Sequence, residues 1–179
     1  MNGGITLDIS SLVLGISLVG NILWFSALLG FGALAAPIMF KELEREIAGN
    51  ITSAILPRYY LMGWWGGLFS LSGVIIHALW VSEGAAEWPF YLWTVPLLFA
   101  TSIWWVAWKK ILPKANALRT AMLVTKAEIR ARPDNDKLSE EFSQAKLVFD
   151  QLHQLSTKLS KACTVLLLLQ LLGLVTIYG

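Results

Sequence analysis

The chain has 179 residues, 56% of them hydrophobic and only 15% charged, with a mean hydropathy of +0.61. A soluble domain carries about 25% charged residues, so the apolar excess here requires a non-aqueous solvent. A net charge of +2 gives nucleic-acid binding no electrostatic basis, and the single cysteine, Cys163, excludes an intramolecular disulfide and a cysteine-based metal cluster.

A bilayer span needs about 20 apolar residues, and four segments meet that need in one membrane domain covering residues 1–179. The first span covers about residues 10–37. Ser10 or Ser11 is placed to cap it, Asn21 is its one strongly polar interior residue, and Gly15, Gly20, Gly30 and Gly32 permit close helix approach. It lacks the basic start and small-residue cleavage site of a signal peptide, and so reads as a permanent span. Pro37 is expected to kink or end the helix.

An amphipathic helix is expected over about residues 41–56. Leu43, Ile47, Ile51 and Ile55 make an apolar stripe on one face, and Pro57 stops the helix before the interfacial anchor Arg58-Tyr59-Tyr60. Glu42, Glu44 and Glu46 step by two and do not share one helical face, so they read as a solvated surface salted by Lys41 and Arg45. The second span, about 61–82, holds Gly63, Gly66, Gly67, Gly73 and, toward its far end, His77. A short loop with Glu83 and Glu87 leads to the third span, about 89–108, which opens on Pro89 and contains Pro96. It closes on Trp104, Trp105 and Trp108, followed at once by Lys109 and Lys110.

The polar half of the chain follows, with a hairpin over about 113–161. Its first arm carries Ala115, Leu118, Met122, Thr125 and Ile129. The second carries Leu138, Phe142, Ala145, Phe149, Leu152, Ser156 and Leu159. Alternating steps of three and four make a coiled-coil seam. The turn Arg132-Pro133-Asp134-Asn135-Asp136 joins the arms, with Asp134 and Asp136 available as caps. No breaker separates the second arm from the fourth span, about 162–178, so one helix of roughly 40 residues is expected.

These spans place all fourteen basic residues on one side: Lys41, Arg45 and Arg58 between spans one and two, and eleven from Lys109 to Lys161 between spans three and four. Basic residues collect in the cytoplasm. The expected protein is therefore a multi-pass protein of a bacterial inner (plasma) membrane, with both termini outside and the hairpin in the cytoplasm.

Ala36-Pro37-Ile38-Met39-Phe40-Lys41-Glu42-Leu43, then Ala48-Gly49 and Ile55-Leu56-Pro57-Arg58-Tyr59-Tyr60, resemble the domain of unknown function 4149 family, which includes transmembrane protein 205-like proteins. Pro113 with Asn116, Leu118 and Arg119, and Leu152-His153 with Ser156-Thr157, fit later segments of that family. The resemblance marks Pro37, Phe40, Gly49, Pro57, Tyr59, Tyr60 and His153 as motif positions. It implies a four-span protein with a cytoplasmic hairpin and supplies no reaction.

Candidate sites are few. A bis-histidine haem needs both ligands at one depth. His77 lies about 16 residues, roughly 24 Å, into span two, whereas His153 lies on the hairpin. His77 alone is a candidate pigment or haem ligand, because an intramembrane ionisable group is a functional candidate by default. Asn21 is a candidate for a polar path or an interhelical contact. Cys163 reads as a small buried hydrophobe, with reversible palmitoylation the alternative. No nucleophile-base pair, phosphate loop or metal spacing is present, and no cofactor is expected.

The residues thus suggest an all-α, four-helix membrane bundle with a cytoplasmic hairpin, acting as a non-enzymatic accessory or structural subunit. Its expected partners are membrane lipids and a protein of a membrane complex, docked through the basic hairpin and the tryptophan-rich spans. The alternative is a small-solute or ion transporter or channel, for which Asn21, Gln170 and His77 offer only a sparse polar path. A pigment- or haem-binding protein using His77 is the third reading.

Overall fold

The computed structural model describes residues 8–81, 87–132 and 135–179, the side chain of Arg45 excepted. Glu83, Pro133 and Asp134, which the sequence assigns to loop and turn, lie outside them. All the regular structure among the described residues is helical: α1 (Ile9–Phe25), a π-helical segment (Ser26–Ala35), α2 (Ala36–Glu42), α3 (Arg45–Trp80), α4 (Trp88–Val106), a second π-helical segment (Ala107–Ile111), α5 (Leu112–Ala131) and α6 (Asp136–Tyr178). Four helical stretches are long and apolar enough to cross a membrane: Ile9–Glu42, Glu46–Trp80, Trp88–Ala131 and Asp136–Tyr178. The chain is an all-α, multi-pass membrane protein with a four-helix bundle.

The prolines act differently from the breakers that the sequence suggests. Pro57 does not stop an amphipathic helix. It sits inside α3, which runs unbroken for 36 residues from Arg45 to Trp80. Proline removes one amide donor, and α3 continues through that loss while it packs along α1. The break falls earlier, at Leu43 and Glu44, whose backbone is extended. The amphipathic stripe of Ile47, Ile51 and Ile55 is therefore the first third of α3. Pro37 likewise does not end its helix. The π-helical segment Ser26–Ala35 stops two residues before it, and Ala107–Ile111 stops two residues before Pro113. A widened turn just ahead of a proline accommodates a ring that would otherwise clash with the preceding turn's carbonyl.

Caps also shift. Asp8, not Ser10 or Ser11, caps α1, its carboxylate accepting from the Ser10 amide at 3.4 Å. Asn135 accepts from the Leu138 amide at 3.4 Å, and Asp136 becomes the first residue of α6. The long helix expected from the sequence is present: α6 has 43 residues.

The chain divides into two compact units. One comprises Met1–Trp104 with Ala162–Gly179, the other Trp105–Lys161. In the first, α1 packs most extensively on α3. Its core holds Val13, Trp24, Trp93, Leu97, Ala100, Trp104, Cys163, Leu167 and Leu174, while Ile22, Leu34, Leu79, Leu172 and Val175 point outward. An apolar exterior on this scale is a solubility hazard in water and the expected surface in lipid.

The second unit is the hairpin. Its half-covered positions follow the predicted seam on both arms, with Asn116, Arg119, Asp150 and Ser160 beside it. Pairing the two half-covered stripes antiparallel about the turn would set Ile129 level with Leu138, Thr125 with Phe142, Met122 with Ala145, Leu118 with Phe149 and Ala115 with Leu152. The same pairing would set buried Ile111 level with Ser156 and half-covered Trp108 with Leu159, two layers beyond the first arm's stripe. Large side chains oppose small ones in several layers, which is how a two-helix seam fills its space.

Candidate functional site

Three side-chain clusters inside the first unit and one surface on the second carry the chain's chemistry. The α1–α3 contact is built on small residues. A Cβ on Gly66 would lie 2.7 Å from the Gly20 carbonyl oxygen and 3.0 Å from Trp24, and one on Gly73 would meet the Ser17 hydroxyl. Ser70 donates to the Ser17 carbonyl across the interface at 3.4 Å. Asn21 is buried beside this contact, but its amide donates at 2.8 Å to the same carbonyl within its own helix. Its Oδ1 has no partner among the described residues. Gln170 is fully buried, and neither of its amide atoms has a partner there. The sequence offered it only as a path residue; its spacing with Cys163, Leu167 and Leu174 on one face is the signal that places it in the core.

The second cluster gathers around Tyr59 and Tyr60. Trp104 donates from Nε1 to the Tyr60 carbonyl at 2.8 Å and packs within 5.0–5.6 Å of the rings of Tyr59, Tyr60 and Trp24. Phe31 closes on Tyr59 at 5.4 Å. Gly63 makes room for this, since a Cβ there would run into the Trp104 indole. Two of the family-motif positions are thus joined to the end of α4. Others are placed differently: Phe40 and Pro57 are exposed, Gly49 is partly covered beside buried Ala48, Pro37 opens α2, and His153 is exposed on the hairpin.

The third cluster surrounds His77. Its Nδ1 is 2.6 Å from the Tyr178 hydroxyl, and its ring stacks on Phe90 at 5.6 Å and meets Trp93 edge-on at 5.5 Å. Gly173 lets α6 approach the Trp93 backbone, and the Cys163 thiol points at the Ala100 carbonyl at 3.6 Å. Both contacts pin α6 to α4. With Nδ1 engaged, only Nε2 of His77 is left for a ligand, and three aromatic rings already enclose the imidazole. Among the described residues, no three His, Cys, Asp or Glu side chains come together to hold a metal.

On the hairpin, the surface outside the seam carries five large apolar residues: Leu123, Val124, Leu147, Val148 and Leu155. At the end where the chain enters it, Lys109 lies over the Trp108 ring at 3.9 Å and the Trp105 ring at 5.3 Å. Lys146 pairs with Asp150 at 3.5 Å, one turn apart. In the first unit, exposed Lys41 and Glu42 pair at 3.6 Å.

The family model described as Domain of unknown function (DUF4149) matches residues 19–123. The chain belongs to this family. The match takes in Pro37, Phe40, Gly49, Pro57, Tyr59 and Tyr60 and the Trp104 they lead to, and stops before His153. No curated protein and no solved structure matches the chain.

Proposed function

We propose that this member of the domain of unknown function 4149 family is a non-enzymatic accessory or structural subunit of a membrane complex. It docks a protein partner through its hairpin and its tryptophan-rich spans. The observation that carries this reading is the exposed apolar surface of the hairpin. The seam already satisfies both arms, yet Val124 and Leu147 remain more than half exposed, at 55% and 59%. A free-standing hairpin has no use for them, and large exposed apolar groups mark interaction surfaces. The spans contain no carboxylate that would couple ion movement, which weighs against the transporter reading.

The same reading puts the protein in a bacterial inner (plasma) membrane, with both termini outside and the hairpin in the cytoplasm, as the one-sided placement of all fourteen basic residues supports. Native gel electrophoresis of gently solubilised membranes, at native expression, tests the docking. The chain should migrate in a discrete larger complex, and Leu147→Ser with Leu155→Ser should release it. A lone monomer in the unaltered membrane contradicts the reading.

A further inference from the structure

We propose that the base of the hairpin binds the headgroup of an anionic phospholipid, through Lys110, Lys114 and Lys158 gathered around Leu155. The inference goes beyond the docking of a protein and does not require it.

Charge along the hairpin is segregated. No acidic residue occurs between Trp105 and Asn116, nor between Gln151 and Lys161, the stretches of the two arms nearest the spans, so the base of both arms is purely basic. Five of the six hairpin acids, Glu128, Asp134, Asp136, Glu140 and Glu141, lie at the tip and outnumber its bases Arg130, Arg132 and Lys137, and the sixth, Asp150, pairs with Lys146. The antiparallel register then decides which lysines meet. On α5 and the turn before it, Lys110, Lys114, Ala117, Ala121 and Val124 step by four and three and lie on one flank of the seam. On α6, Val148, Gln151, Leu155 and Lys158 step by three and four. In an antiparallel pair these two stripes share the same side of the seam. Level for level, Lys110 and Lys158 fall within one turn of each other, and Leu155 comes between Lys110 and Lys114.

All three lysines are exposed, and no ion pair is found for any of them among the described residues. Leu155 beside them is 44% exposed. Three ammonium groups around one aliphatic side chain complement a phosphodiester with an acyl chain attached, and the chain leaves this base directly into spanning segments on both arms. Lysines placed immediately beside a membrane span attract anionic headgroups, each adding to the affinity. At the tip, Arg130, Arg132 and Lys137 stand among five acids, so it provides an internal contrast without excess positive charge.

Native mass spectrometry of the full chain in neutral detergent, titrated with dioleoylphosphatidylglycerol or dioleoylphosphatidylcholine, tests this. One phosphatidylglycerol should bind at least about tenfold more tightly than phosphatidylcholine. Lys110→Gln with Lys114→Gln and Lys158→Gln should remove that preference, weakening phosphatidylglycerol binding about tenfold or more to the phosphatidylcholine level. Arg130→Gln with Arg132→Gln and Lys137→Gln, a charge-matched change at the tip, should leave it unchanged. Equal binding of the two lipids, an unaffected base variant, or an equal loss from the tip variant would each overturn the proposal. So would a protein held at this base with no lipid preference.

Discussion

Gly66 and Gly15 look alike in the sequence, yet only Gly66 lies where a side chain has no room. A Cβ on Gly66 meets Gly20 and Trp24, whereas one on Gly15 meets nothing within 4 Å. Gly66→Leu should therefore destabilise the α1–α3 contact by about 1–3 kcal/mol, the usual cost of overpacking, and Gly15→Leu should be close to neutral. Thermal unfolding of the two variants in the same detergent checks this, and equal midpoints would refute the assignment. Residue type alone showed that small residues line these spans. Which of them touch a partner depends on the rotation of each helix, and a span that is apolar all round has too weak a periodicity to reveal it. Tyr59 and Tyr60 were legible as a motif, but their convergence on Trp104 was not, because Trp104 lies 44 residues beyond Tyr60. His77 was legible as a buried ionisable group, and Tyr178 beside it was not, for the same reason of distance.

At the scale of elements, the hairpin was the most legible part and the prolines the least. A polar helix with one apolar stripe announces its buried face, and every residue of both stripes is half-covered, with Asn116, Arg119, Asp150 and Ser160 beside them. Pro57 misled because propensity weighs a proline locally, whereas the packing of α3 along α1 holds the helix through one lost donor. The recurring spacing between a π-helical segment and the proline two residues beyond it has no sequence signature that propensity would register. The seam makes a direct prediction. Phe149→Ala removes a large side chain from the layer it shares with Leu118, and should loosen the hairpin by roughly 1–3 kcal/mol, less than the cost of a fully buried phenylalanine. Hydrogen exchange of the amides in α5 and the first half of α6 should then quicken, with those of the spans unchanged. Leu147→Ala, off the seam and 59% exposed, should leave exchange as it was. Equal protection in both variants would show that the seam does not hold the arms together.

For the whole molecule, hydropathy sets the number of candidate spans, and the proposed direction rests on charge. Four stretches can cross, and if they all do, every lysine and arginine faces one compartment. The proposed docking requires that orientation, with the hairpin, its apolar flank and its basic base on the cytoplasmic side. Labelling of single cysteines in intact cells with a membrane-impermeant maleimide tests it most directly. Cys163→Ala, which removes a buried thiol, supplies the background for Glu87→Cys between spans two and three and Gln154→Cys on the hairpin. The predicted result is labelling of Glu87→Cys in intact cells and of Gln154→Cys only after the inner membrane is opened; labelling of Gln154→Cys in intact cells would contradict the account.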